Sequence, residues 1–139
     1  MMVILDTNVI SELRKVALGK ANANVAKWAR HMEANTLYLS AITIHEIESG
    51  ILRLKRRNDF SSEVLRLWLD NHVLKAFAGR ILPVDTAVAQ RTAALHLPQT
   101  RPWADAFIAA TALVHGMVVA TRNARDFQPM GVPVLNPWL

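Results

Sequence analysis

The sequence predicts an α/β fold in which a parallel, twisted sheet is covered by helices on both faces. Short apolar runs, each the length of a buried strand, recur along the chain. Segments with helical periodicity lie between them, and strands alternating with helices favour parallel pairing. Apolar residues make up 52% of the 139 residues and charged residues 19%, with no internal repeat, linker or low-complexity stretch, so one packed domain spanning 1–139 is expected.

Residues 2–6 (MVILD) read as a short buried strand followed by a polar turn. NANVAKWARHMEAN (22–35) is helical, with Val25, Trp28, Ala29 and Met32 on one stripe. TLYLS (36–40) alternates and carries β-favouring residues, a second strand. AITIHEIESGILRLKRR (41–57) is a long helix, and SSEVLRLWLDNHVLKAFAG (61–79) is another. In the latter, Val64, Leu67, Trp68 and Leu74 are expected to face inward, Ser61 or Ser62 to cap the start, and Gly79 to end it. RILPVD (80–85) is a brief strand, with TAVAQRTAALHL (86–97) the helix after it. PWADAFIAATALVHG (102–116) starts at a proline suited to the first helical position and stops at Gly116. MVVAT (117–121) is a buried strand, and VPVLNPW (132–138) a last edge strand limited by prolines. Trp28, Trp68 and Trp103 are expected in the core; the pattern leaves Trp138 open.

Sixteen Lys and Arg oppose eleven Asp and Glu, a net charge of +5, which favours polyanionic partners such as RNA or DNA. Cysteine is absent, so there is neither a disulfide framework nor a thiolate metal site, which suits the cytoplasm. No apolar run reaches the length of a membrane span, and the N-terminus lacks the order of a signal peptide.

In a parallel sheet the functional crevice lies at the carboxyl ends of the strands. Asp6 ends the first strand and Thr121-Arg122-Asn123 follows the fourth, which points both at one rim. Asp6 reads either as a helix cap or as a chemical group. Glu46 sits in a helix beside Ile42 and Ile47, with small Ser49 and Gly50 one turn on; it reads as a solvated helix residue or as a ligand. Asp105 is the only charged residue from Trp103 through Val114, in a helix apolar almost all round. It is either a first-turn stabiliser or a buried acid that needs a cation or hydrogen-bond donors. Carboxylates gathered from separate elements repel unless a cation sits between them, and oxygen-only ligands suit Mg²⁺ or Mn²⁺. HEIES (45–49) begins like a zinc-protease motif, but Ser49 replaces its second histidine. His31, His72, His96 and His115 lack metal-like spacing and are expected on helix surfaces.

With ILDTNVISEL at the start, LSAITIHEIESGI in the middle and ADAFIAATALVHG…VVATRNARDF near the end, the chain resembles a PIN domain. More narrowly it resembles the VapC toxins of bacterial toxin–antitoxin pairs, and FAGRILPVD and LNPWL resemble their FitB-like branch. The resemblance implies a three-layer sandwich around a parallel sheet of about five strands. It places Asp6, Glu46 and Asp105 at the family's metal-binding and catalytic acids, with Glu46 a ligand directly or through water. Thr7 matches a hydroxyl that orients metal or water. The family's fourth acidic position holds Asn123, and Asp126, three residues on, is the alternative.

The resemblance further implies a Mg²⁺-dependent endoribonuclease (Mn²⁺ as substitute) that leaves 5′-phosphate and 3′-hydroxyl ends. Implied partners are an RNA substrate, a small VapB- or FitA-like antitoxin, operator DNA through that antitoxin, and a second copy of the chain. Arg122 and the RLKRR run (53–57) are candidates for steering the RNA backbone, although a solvated helix end explains the run equally well. A small-molecule phosphohydrolase and an inactive RNA- or partner-binding module remain as alternatives, the latter favoured by the neutral Asn123.

Overall fold

Val3–Leu5 forms β1, and all three side chains are fully buried. In the computed structural model, which describes residues 1–139, β1 is the central strand of a five-stranded parallel sheet. It pairs with β2 (Leu37–Ser40) on one side and β4 (Val118–Ala120) on the other. β3 (Ile81–Leu82) and β5 (Val134–Leu135) form the edges, giving the order β3-β2-β1-β4-β5. Side chains alternate across a strand. Val3 and Leu5 therefore join one core and Ile4 the other.

The first core collects residues from α1 (Thr7–Leu13), α3 (Ala41–Arg56), α4 (Ser61–Trp68) and the turns after α4. Val9, Ile10, Ile47, Ile51, Leu69, Val73 and Phe77 fill it. Trp28 of α2 (Ala23–His31) and Trp138 pack against its edge. The second core is built on α7 (Trp103–His115), whose Ala106, Ile108, Ala109 and Ala112 meet Ile4, Val119 and Phe127. α6 (Thr86–Leu95) packs against α7, and Gly116 ends α7 at φ 67°, where an L side chain would be strained.

Four expectations need correction. The polar turn after β1 is a seven-residue helix, α1, too short to show a period but started by Asp6 and held by buried Val9 and Ile10. The helix expected over 61–79 is interrupted: α4 runs into a π-helical turn at Leu69–Val73, followed by α5 (Leu74–Ala76). Its inward line is Leu65, Leu69, Val73 and Phe77, and of the predicted set only Trp68 packs against the core. A spacing of four drifts around a regular α-helix, and the wider π turn reduces that drift. Val64, Leu67 and Leu74 are consequently exposed, at 52%, 61% and 38%, while Trp68 is half-buried. Neither Ser61 nor Ser62 caps α4: Phe60 precedes it without a capping bond, and Asp59 Oδ1 accepts from the Ser61 amide at 3.0 Å and hydroxyl at 2.7 Å. Trp103, expected in the core, is 51% exposed.

Phe127 of α8 (Ala124–Phe127) is fully buried in the second core, one residue from Asp126. Phe127→Ala is expected to cost about 3–5 kcal/mol of stability by urea unfolding. A loss under about 1 kcal/mol would mean that this side chain does not anchor the turn carrying Asp126.

Candidate active site

The Asp6 amide donates to the Ala120 carbonyl at 2.9 Å, which prolongs the β1–β4 ladder and delivers the Asp6 carboxylate to the carboxyl rim of the sheet. This is the switch point of the topology, where the connections leaving β1 and β4 run to opposite sides of the sheet. Asp6 is 5% exposed. Its Oδ1 accepts from the Thr7 amide at 2.8 Å; its Oδ2 accepts from the Thr121 hydroxyl at 2.8 Å and the Asn8 amide nitrogen at 3.2 Å. Asp6 thus caps α1 and remains a buried carboxylate at the rim, so both readings of the residue hold together. Burial pushes its pKa above the ordinary carboxylate value; the Thr121 hydroxyl and Thr7 amide oppose that rise, and the nearby Glu46 charge adds to it.

Glu46 is half-buried on α3, and its Oε1 accepts from the Thr7 hydroxyl at 2.6 Å. The Thr7 and Thr43 hydroxyls share another hydrogen bond of 3.2 Å. Thr7 has one hydroxyl proton, so Thr43 must donate when Glu46 takes the Thr7 proton. These bonds tie Glu46 to the residue after Asp6 and remove it from the outer helix face.

Asp105 enters from the first turn of α7, half-buried. Its pKa is pushed up to about 6, first by burial and then by the charges of Asp6, Asp126 and Glu46. Asp105 therefore senses three other acids brought from β1, α8 and α3. Asp126 and Asn123 are both exposed; Asp126 acts on Asp105 by its charge, and the Asn123 backbone amide donates to the Thr121 hydroxyl at 2.9 Å. The ion pairs of the chain are Lys15–Glu12, Arg66–Glu48 and Arg66–Asp70, so no basic side chain compensates Asp6, Glu46, Asp105 or Asp126. The acids do not close to joint coordination distance, as expected of mutually repelling charges.

Arg122 turns from the acids. Its guanidinium lies 5.4 Å over the Trp138 ring, and its amide donates to Asn8 Oδ1 at 3.3 Å. His31, His72 and His115 are exposed; His96 is half-buried and its Nδ1 accepts from the Arg101 amide at 3.0 Å. Beyond Thr7 and Glu46 a cleft of about 470 Å³ opens, lined also by Ser11, Arg14, Lys15, Gly50, Arg53, Arg57 and Trp68. Sequence reasoning missed Thr121, Asn8 and Thr43, which orient the acids, and Arg14 and Lys15 of the cleft. Thr121 and Asn8 carried a signal, being the polar residues that flank two buried strand ends.

Residues 3–131 match the PIN domain family. The chain is 40% identical to VapC ribonuclease Y4jK of Sinorhizobium fredii, across 99% of this chain and 98% of that protein. It is 39% identical to toxin FitB of Neisseria gonorrhoeae, with 99% of each covered. Among solved structures, that of FitAB bound to an IR36 DNA fragment superposes with a TM-score of 0.86 at 38% identity, covering 99% of this chain and 96% of that one.

Proposed function

Since the chain belongs to the PIN-domain family, in the group of VapC and FitB, we propose that it is a metal-dependent endoribonuclease and the toxin of a toxin–antitoxin pair. The observation that carries this reading is the gathering of four uncompensated acids from four elements at the rim, with Asp105 pushed up to about 6 by its burial and, after that, by the charges of the other three. The donor set fits a hard divalent cation: it offers oxygen alone and charge in excess of any protein cation. Asp6 and Asp105 would hold Mg²⁺ (or Mn²⁺) directly, Glu46 directly or through water, with Asp126 rather than Asn123 as the fourth acid. When bound, the ion supplies Lewis-acid polarisation of a phosphate oxygen and a lowered pKa for water.

The chain's own groups do the rest. Thr121 and Asn8 orient Asp6 by donating to Oδ2 and favour its ionised form against the burial that raises its pKa. Thr7 holds Glu46 in the pocket through its 2.6 Å hydrogen bond, which keeps the carboxylate oriented as ligand or proton acceptor. The apolar walls that bury Asp6 limit water around its carboxylate and strengthen the charge interactions it makes. The neutral Asn123 is the one observation favouring a weak or inactive RNA-binding module. Asp126, acting on Asp105, restores the charge that Asn123 lacks.

Purified protein incubated with RNA should cut it with Mg²⁺ or Mn²⁺ and spare it in EDTA, and Asp6→Asn should be inert. Asparagine caps a helix as well as aspartate does, so α1 survives that substitution. Binding of the ion to the native state should also raise the thermal midpoint by several degrees, since saturation at about 100 times Kd contributes ~2.7 kcal/mol. Asp6→Asn should blunt the rise. An equal rise in both proteins would move the ion elsewhere.

We further propose a small antitoxin as partner, operator DNA reached through it, and a homodimer as the working state. No helix is long and apolar enough to cross a membrane, and action in the cytoplasm on RNA is consistent with that.

A further inference from the structure

We propose that the basic cleft opening from the acidic pocket is a track for single-stranded RNA, in which Arg14, Lys15, Arg53 and Arg57 hold phosphates on one side of the cleavage point. The inference rests on the nuclease reading and deepens it by naming where the rest of the substrate lies. Thr7 and Glu46 belong to both the acidic pocket and the cleft, so a strand lying in the cleft passes a phosphate beside the acids.

Charge selects the occupant. Four cations line the cleft against one carboxylate, Glu46, and only Lys15 is ion-paired, to Glu12 at 3.2 Å. The dipoles of α1 and α3 each favour cations near their C-terminal ends. Neither dipole accounts for two cationic ends lining the same cleft, where they repel. The RLKRR run is also divided by the fold. Arg53 and Arg57 reach the cleft from successive turns, while Lys55 lies in another depression beside Ser62, Glu63 and Arg66. Like charges one turn apart repel, and a bound polyanion relieves that repulsion.

Shape agrees. Gly50 lines the cleft, and a Cβ there would meet no atom within 4 Å, so the wall stays open to a ligand. The floor is apolar, made by Ile47, Leu54, Leu65 and Trp68, and the Arg14 guanidinium lies 5.9 Å over the Trp68 ring. Aromatic and guanidinium planes both accept a stacked base, and an unpaired strand exposes its bases for that purpose.

The test is fluorescence anisotropy with a labelled, mixed-sequence, single-stranded oligoribonucleotide of ~12 nucleotides in EDTA, so that binding is read without cleavage. The double variant Arg53→Ala, Arg57→Ala is expected to raise Kd by ~10-fold or more and to flatten the salt dependence by about 1.4 in log–log slope, two phosphates' worth. Lys55→Ala with Arg56→Ala should stay within about twofold of wild type. Thermal midpoints check folding. If the alanine pair unfolds, Arg53→Gln with Arg57→Gln keeps the side-chain length and carries the same expectation. Equal losses from the cleft pair and the control pair, or none from either, would overturn the track. So would a cleft pair that binds RNA normally but no longer captures the small protein encoded beside this chain, which would assign the cleft to that protein. Wild-type cleavage with Mg²⁺ is measured in parallel. Cleavage without a binding defect in the cleft pair overturns this inference alone, whereas absence of cleavage by wild type removes the nuclease reading.

Discussion

Asp105→Asn is expected to reduce RNA cleavage by about 10²–10³-fold or more while leaving the fold intact. The change keeps the shape and removes the charge, and holding a divalent ion against a phosphate requires the charge. A loss of ~3–4 kcal/mol of transition-state stabilisation corresponds to that range. The same substitution should stabilise the protein in EDTA at neutral pH. Asp105 has its carboxyl raised from 3.8 to about 6, so the folded state binds its proton more tightly than the unfolded chain does. Stability from that proton is fully present below about pH 4 and lost as pH rises through about 6. The wild type should therefore weaken between pH 4 and 7.5, and the variant should lack this component of the slope. Asp105 is half-exposed, so solvent screens part of the effect and the expected gain is about 1 kcal/mol at pH 7.5. Urea unfolding at both pH values measures it. Wild-type cleavage by the variant would remove Asp105 from the mechanism; a flat wild-type profile would mean that neither burial nor the neighbouring acids raise its carboxyl.

The sequence made the sheet legible because each strand is a short apolar run bounded by polar or turn residues, and burial on both faces demands that pattern. It made Asp6 and Asp105 legible for a related reason: a carboxylate in apolar company is costly and needs an explanation. Glu46 was harder, since a helical glutamate is ordinary until the Thr7 bond shows which way it points. What failed were choices between two apolar lines on one helix. Residues 61–79 carry one line through Val64, Leu67 and Leu74 and another through Leu65, Leu69, Val73 and Phe77, and only the π turn decides which faces the core. Trp103 misled for the opposite reason, because its size suggested burial while its place at the first turn of α7 left it at the surface. The charge that Asp126 exerts on Asp105 emerges only in three dimensions, as does the cleft. Arg14 and Arg53 are distant in sequence, and net charge says nothing about which cations share a groove.

The apolar line that packing leaves outside leads to the remaining large effect. Val64 and Leu67 of α4 are exposed, as are Leu52 of the neighbouring α3 and Phe60 just before α4, at 52% and 75%. α3 and α4 pack together, with Arg66 bridging to Glu48 at 2.8 Å through Nη1. An amphipathic tail laying its apolar side chains on this stripe is the expected form of the antitoxin contact, with an Arg of the tail reaching the uncompensated acids. Such a contact would block the site by both charge and bulk. Val64→Glu with Leu67→Glu should then leave RNA cleavage and the thermal midpoint near wild type, because neither side chain is in the core or at the acids. It should weaken binding of the small protein encoded next to this chain by about 30-fold or more, a loss of ~2 kcal/mol at a central apolar contact. In cells, the wild-type chain should be tolerated when that neighbour is co-expressed, whereas the double variant should remain toxic in its presence. Pull-down of the tagged chain and cleavage assays of the eluate report both sides of this expectation. If the variant is neutralised as well as wild type, the stripe is not where inhibition occurs. If it instead changes from dimer to monomer by size-exclusion chromatography while still binding the neighbour, the stripe is the contact between copies and the inhibitor docks elsewhere.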